Sequence, residues 1–169
     1  MIFRAADTQD IAQIMTLIAQ GVDSLRKQGS PQWQDGYEPS RQQVEQDIKA
    51  GAGYVLEDEK VVAYAALIKG TDPVYTAIKE GGWLGEGPYV SIHRVVVDKH
   101  KTGKGLAQKL LRHLIAVSQQ LGYRDIRIDT YHLNIGMQKA IINAGFVYRG
   151  KVHFPIPYGD RWAYQYLIE

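Results

Sequence analysis

The chain has 169 residues, 45% of them hydrophobic and 22% charged, with a formal net charge of +2; this fits one globular domain with a sizeable core, and the charge is too small to point to nucleic acid. It contains no cysteine, which excludes disulfides, thiolate metal sites and a cysteine nucleophile and fits a reducing compartment. No apolar run approaches the roughly 20 residues that span a bilayer, and Asp7 and Asp10 follow the first residues at once, so neither a membrane partner nor a secretory signal is expected and the expected location is cytoplasmic.

Residues 2–5 form a strand candidate. Asp7 and Thr8 are N-cap types ahead of a helix with Ile11, Ile14, Met15, Ile18, Val22 and Leu25 on one face, ended by Gly29, Ser30 and Pro31. The loop that follows carries Trp33, Gln34, Asp35, Gly36 and Tyr37. Ser40 and Gln43 have the spacing of a capping box for a second helix, closed by Gly51 and Gly53. Residues 54–56 and 61–68 predict a hairpin around Asp58-Glu59, and residues 70–87 a Gly-rich excursion with Tyr75 and Trp83. Residues 89–97 predict a β-branched strand. The helix beyond it runs to about Gln120, with Leu106, Leu110, Leu111, Leu114, Val117 and Leu121 expected inward and Gly122 as its stop. Ile126, Ile128 and Thr130 mark a further strand, residues 134–144 a short helix stopped by Gly145, and residues 146–154 and 162–168 two closing strands. There is no internal repeat or low-complexity run. The order β-α-α-β-β-β-α-β-α-β-β predicts one mixed α/β domain over residues 1–169.

The segment from His93 to Ala107 carries most of the functional information. A strand runs into a basic loop, Lys99-His100-Lys101-Thr102-Gly103-Lys104-Gly105, and then into an amphipathic helix. The N–H groups at a helix start lack intrahelical partners and carry partial positive charge, and glycine lets a backbone approach an anion. The loop is therefore suited to a phosphate group. Its spacing fits neither the phosphate loop of nucleotide hydrolases nor the three-glycine dinucleotide pattern. Taken alone it supports either a nucleotide-binding turn of another kind or a plain connection.

Joined to later residues, the loop resembles the acetyl-CoA motif of the GNAT N-acetyltransferase superfamily. That motif reads Arg/Gln-x-x-Gly-x-Gly/Ala and is followed, after the next strand, by an Asn and a helix ending in Gly-Phe. Here the counterparts are Thr102-Gly103-Lys104-Gly105-Leu106-Ala107, then Asn134 and Gly145-Phe146. The order of elements matches over nearly the whole chain, and Arg127 to Asn134 with Met137-Gln138 is similar to small bacterial members. The resemblance implies a mixed sheet with splayed central strands and acetyl-CoA as donor, with no metal. The CoA pyrophosphate would rest on the backbone of Thr102, Gly103, Lys104, Gly105, Leu106, Ala107 and Gln108. The pantetheine arm would pair with Val95 and Val97, with a backbone N–H of that Val95-Val96-Val97 strand polarising the acetyl carbonyl, and Asn134 would bond the arm. Thr102 departs from the usual Arg or Gln, with Lys101 and Lys104 able to supply charge. Ile141 departs more, because many members place there the Tyr that protonates the leaving thiolate. Tyr131 or Tyr148 could replace it, or no acid acts at all.

His93 is the expected base, since an imidazole with an ordinary pKa of about 6.5 suits proton removal near neutrality. Alternation puts Ser91, His93 and Val95 on one face and Arg94 on the other, where a structural ion pair is expected. Some superfamily members carry Glu at the position of Ser91 and others a His where His93 stands. His132 is expected at the rim. Acceptor contacts are expected from Trp33, Tyr37, Trp83 and Tyr89, with Gln34, Tyr75, Asp35 and Glu86 as further candidates; each aromatic has a packing role as its alternative. The histidines lack metal-ligand spacing. The implied activity is transfer of acetyl from acetyl-CoA to a primary amine of a small molecule or peptide, with a non-catalytic acyl-CoA-binding module as the alternative. Either a monomer or a homodimer through residues 155–158 fits the sequence.

Overall fold

The computed structural model describes residues 1–169. Its strands are β1 (Ile2–Ala5), β2 (Gly53–Asp58), β3 (Lys60–Lys69), β4 (Val90–Val97), β5 (Asp125–Thr130), β6 (Val147–His153) and β7 (Asp160–Leu167). The helices are α1 (Ile11–Lys27), α2 (Arg41–Lys49), α3 (Pro73–Thr76), α4 (Leu106–Gln120) and α5 (Ile135–Asn143), with single 3-10 turns at Thr8–Asp10 and Lys99–Lys101. The strands form an open seven-stranded mixed sheet in the order β1-β2-β3-β4-β5-β7-β6, so the α/β class expected from the sequence is observed. The chain divides into two compact units. One comprises residues 1–67 and 94–110, the other residues 68–93 and 111–169, and β4 contributes its first half to the second unit and its last half to the first.

In the first unit β1, β2 and β3 are antiparallel neighbours. Asp7 caps the 3-10 turn with a reciprocal box to Asp10, and α1 proper starts at Ile11. The Ser40–Gln43 box opens α2 as the spacing predicts. Ile11, Ile14, Leu17 and Ile18 of α1 pack with Val44, Val55, Val61, Tyr64 and Val96. Leu17 completes the α1 stripe, whereas Met15 and Val22 lie at its margin. At Gly21 a Cβ would meet the Trp33 ring at 3.0 Å, so that glycine admits the indole against the helix. Beneath the sheet, Asp47 of α2 accepts from Arg94 Nε (3.0 Å) and Nη2 (2.7 Å), and from the Tyr64 hydroxyl. Arg94 holds a φ of +59°, a conformation that costs a non-glycine residue about 1–2 kcal/mol.

In the second unit β4 runs parallel to β5 over Val90, Ser91 and Ile92, and the recorded pairing stops there although β4 continues to Val97. β7 lies antiparallel between β5 and β6. The Gly-rich excursion, expected to be irregular, holds a short helix, α3. Asp72 caps it through the Val74 N–H and Pro73 opens it. The excursion then docks on β6 through a Lys79–Lys151 bridge and the Gly82 N–H to the Arg149 carbonyl. Gly81 is required there: at φ +151° a Cβ would stand 1.9 Å from the Arg149 carbonyl oxygen. Leu121, expected inward, is 45% exposed because α4 has ended at Gln120 and Gly122 turns the chain; Ser118 takes the buried place.

Asp47→Ala leaves a largely buried guanidinium without its partner. We expect a loss of about 3 kcal/mol, read as a lower urea midpoint with unchanged m-value, and a loss of about 1 kcal/mol for Tyr64→Phe, which removes a single hydrogen bond. Equal stability of Asp47→Ala and wild type would refute the bracing role.

Candidate active site

The loop ahead of α4, expected to serve the donor, is ordered by its own hydrogen bonds. Asp98 is buried and accepts the His100 N–H at 2.9 Å, closing the Lys99–Lys101 turn, and the Thr102 hydroxyl donates to the Lys99 carbonyl at 2.8 Å. Gly103 (φ +84°) and Gly105 (φ +70°) then reverse the chain in the left-handed region. A Cβ at either would meet nothing, so conformation rather than crowding calls for glycine there. The first backbone bond of α4 runs from Lys109 N–H to the Gly105 carbonyl, which leaves the Leu106 and Ala107 N–H groups without an acceptor inside the helix. Thr102, Gly103, Lys104 and Gly105 are exposed, Ala107 and Gln108 half-buried and Leu106 buried. This exposed backbone turn at the N-terminus of a 15-residue helix, flanked by Lys101 and Lys104, has the chemistry a pyrophosphate requires. In the same unit Val96 is buried in the core while Val95 and Val97 are half-buried.

The acceptor-side candidates of the second unit form a connected polar row. His93 Nε2 lies 3.1 Å from Ser91 Oγ and 3.6 Å from Asp72 Oδ2. The ring centres of His93 and Tyr75 are 5.7 Å apart, and the Tyr75 hydroxyl donates to Asp129 Oδ2 at 2.6 Å. Asp129 Oδ1 in turn stands 4.0 Å from Arg161 Nε. Asp72 is fixed from the other side as well, its N–H donating to the Tyr89 hydroxyl at 2.6 Å. The His93 imidazole holds the Asp72 carboxyl below the usual range. Burial pushes Asp129 up, partly opposed by His93, Tyr75 and Arg161, and burial likewise pushes the Tyr75 phenol up.

The guanidinium of Arg127 sits between the rings of Trp83 (4.4 Å) and Tyr89 (3.8 Å) while pairing with Asp125 at 2.8 Å. Gln165 extends this network to Asp125, Leu84 and Arg149, so both aromatics are engaged by a buried cation. Trp33 packs on Gly21, and the Gln34 amide donates to the Val22 and Gln32 carbonyls, which folds that loop onto α1. Tyr37 is 48% exposed. Tyr131 is buried and meets His132 at 4.5 Å between ring centres; its hydroxyl forms no hydrogen bond within the chain. Tyr148 is exposed and packs edge-on against Trp162 and Tyr164. Asn134 Oδ1 caps α5 by accepting the Met137 N–H, which leaves its amide NH2 as a donor. Ile141 is fully buried. Phe146 follows the positive-φ Gly145, whose Cα faces the Tyr166 ring.

Asp72, Asp129 and Arg161 were missed as site residues. The Asp72-Pro73 pair is a helix-start signal, and the alternation of Arg127 and Asp129 along β5 marks one polar face, but neither pattern names a partner across the sheet. No group of three or more His, Asp or Glu residues is placed to hold a metal ion, and no helix is long and apolar enough to cross a membrane.

The description "Acetyltransferase (GNAT) family" matches residues 21–146. No curated protein matches the chain. Among solved structures, a GNAT-family acetyltransferase from Streptococcus agalactiae 2603 is 38% identical, with a TM-score of 0.89, over 99% of this chain and 95% of that one. A GNAT-family acetyltransferase from Listeria monocytogenes 4b F2365 shares the fold at 22% identity and a TM-score of 0.76, covering 99% and 94%. So does a chain from Salmonella typhimurium solved with its cofactor acetyl-CoA, at 19% identity and a TM-score of 0.69, covering 100% and 94%. With the glycine turn ahead of α4, the Asn134 cap and the sheet order in place, the chain belongs to the GNAT family of acetyltransferases, enzymes that transfer an acyl group from acetyl-CoA.

Proposed function

We infer that this enzyme acetylates a primary amine, with His93 as the base that takes the amine proton. The observation that carries the reading is the His93 environment: a partly exposed imidazole whose Nε2 lies beside both the Ser91 hydroxyl and the Asp72 carboxylate at the end of the β4–β5 pairing. A carboxylate beside an imidazole orients the ring for proton transfer. The donor supplies an activated acetyl group. The amine nitrogen bonds to the carbonyl carbon, the C–S bond breaks and CoA leaves as a thiolate, while the amine proton passes to His93 directly or through water. The backbone from Thr102 to Gln108 holds the pyrophosphate. Val95 and Val97 pair with the pantetheine arm, and the Asn134 amide NH2, which its capping role leaves unused, bonds that arm. Tyr131, with a hydroxyl that has no partner in the chain, is the group we assign to protonate the thiolate.

The position that would carry the usual acid is filled by Ile141 in the core. General acid assistance is typically worth about 10²–10⁴-fold, and in this reading Tyr131 supplies it from another strand end.

His93→Ala should lower kcat by about 10²-fold or more in a CoA-release assay across an amine panel, with the KM for acetyl-CoA nearly unchanged; undiminished turnover removes His93 from the mechanism. Calorimetry should show CoA binding in preference to ATP, because only CoA carries an arm that pairs with a strand. Asp72→Asn preserves the α3 cap but removes the charge. Because the folded carboxyl titrates below its unfolded value of about 3.9, its stabilisation is full above that pH and is lost as pH falls through the depressed folded value. Wild type should therefore melt above Asp72→Asn at pH 7, by up to about 1 kcal/mol, and the gap should close on acidification below pH 4. A gap that widens on acidification contradicts the assignment.

A further inference from the structure

Arg161 is a buried cation whose hydrogen bonds do not use its full capacity. Its Nη1 donates to the carbonyls of Tyr158 (2.6 Å) and Asp160 (2.9 Å). The guanidinium is further held against the rings of Tyr131 (5.2 Å) and Phe154 (5.8 Å). These contacts fix the group by one end and by its faces. The other edge, Nε with Nη2, forms no hydrogen bond in the chain; its nearest acid is Asp129, with Oδ1 at 4.0 Å from Nε, beyond hydrogen-bond distance. That edge is one of the two-donor forks that match a carboxylate. The fully enclosed polar atoms without partners are Gln32 Oε1, Asp98 Oδ2 and Thr130 Oγ1. No Arg161 nitrogen is among them, so the free edge meets accessible space.

The row that ends at Arg161 begins at the proposed base. Side-chain exposure falls from 21% at Asp72 and 17% at His93 to 9% at Asp129 and 8% at Arg161. Asp72 and His93 are thus the more exposed end of the row, and Asp129 with Arg161 the enclosed end. Burial holds the Arg161 pKa below its ordinary value and the Asp129 pKa above its own, which is how two buried charges behave when neither has a full partner. A ligand carrying both charges supplies each with the partner it lacks.

We propose that the free edge of Arg161 binds a carboxylate on the acceptor, so that the enzyme acetylates amines of the amino-acid class, with the amine toward Asp129 and His93. The assignment rests on the acetyl-transfer reading above and names the acceptor for the same site. It gives Arg161 a specificity role and leaves the bond-making chemistry to His93 and the donor.

The test compares matched acceptors that differ only at the carboxyl group: an amino acid, its amide and its methyl ester, each with an aliphatic and an aromatic side chain, followed by CoA release. Wild type should prefer the free acid by about tenfold or more in kcat/KM, the size of a charge-assisted pair. In Arg161→Gln the preference should collapse toward unity through a higher acceptor KM, with the KM for acetyl-CoA unchanged. Arg161→Lys, which keeps the charge and loses the two-donor edge, should fall between. A wild type that uses the ester or amide as well as the acid overturns the proposal, and this comparison requires no variant to fold. A preference that survives in Arg161→Gln overturns it as well. If no amine accepts acetyl, with or without a carboxyl group, while acetyl-CoA binds, the acetyl-transfer reading fails and the proposal with it; transfer that ignores the carboxyl group overturns the proposal alone.

Discussion

The bidentate pair between Asp47 and Arg94 holds the middle of β4 in a shape that a strand does not adopt unaided. Arg94 takes a left-handed backbone conformation at a cost of about 1–2 kcal/mol, and no glycine is present to relieve it. A short, nearly enclosed ion pair offsets that cost. Asp47 accepts two guanidinium hydrogen bonds and the Tyr64 hydroxyl, so the carboxylate is well satisfied and the desolvation of two charges is compensated. Backbone strain of this kind persists only where the surroundings over-determine it. Here α2, β3 and the side chain of the strained residue itself all meet at one carboxylate. The position matters because Arg94 separates His93 from Val95, the proposed base from the strand segment assigned to the pantetheine arm.

The two halves of β4 thereby acquire different tasks. Val90 to Ile92 pair with β5 in regular register, and Ser91 and His93 share a face as alternation requires. Beyond Arg94, Val96 is committed to the hydrophobic core, while Val95 and Val97 are left half-buried with backbone groups that an added strand can use. β-Branched residues suit this segment because donor recognition along a strand uses the main chain. The charged chemistry is then assembled from elsewhere: Asp72 from the excursion, Asp129 from β5 and Arg161 from β7. Their burial sets their behaviour. Asp72, the most exposed of the three, is governed by its imidazole neighbour, whereas desolvation dominates Asp129 and Arg161.

Local chemistry was legible in the sequence wherever one short segment contained the whole cause. The Ser40–Gln43 box, the Asp7 cap, the glycine turn ahead of α4 and the Gly145 stop each depend on a few adjacent residues, and each is observed. Leu121 was misjudged because a helical stripe extrapolated past Gln120 ignores the turn that Gly122 imposes. The helix α3 was hidden because four residues carry no periodicity; only Asp72-Pro73 announces it. At the site, His93 could be singled out by residue type and strand phase, but its partners could not. Asp72 lies far along the chain from Asp129 and Arg161, and which of the carboxylates and guanidiniums meet is decided by sheet order. The same reason hid the partner of Trp83 and Tyr89, whose faces Arg127 engages from β5.

The buried Ile141 bears on how much proton management this active site requires. An amine acceptor must shed a proton before it attacks, because an ammonium has no lone pair to offer, and we assign that demand to His93 with Asp72 beside it. The leaving group makes a weaker demand. A thiol titrates near 8.5, so a thiolate departs near neutral pH with little penalty, and an acid that protonates it accelerates a step that is already feasible. Filling position 141 with a core isoleucine therefore removes the usual acid from the less demanding of the two proton transfers, which we assign to Tyr131, and gains apolar packing in α5. The investment in buried charge follows the same logic. Two desolvated groups without full partners, Asp129 and Arg161, are costly to keep in a folded protein, and the proposed acceptor, carrying both charges, would offset that cost for each.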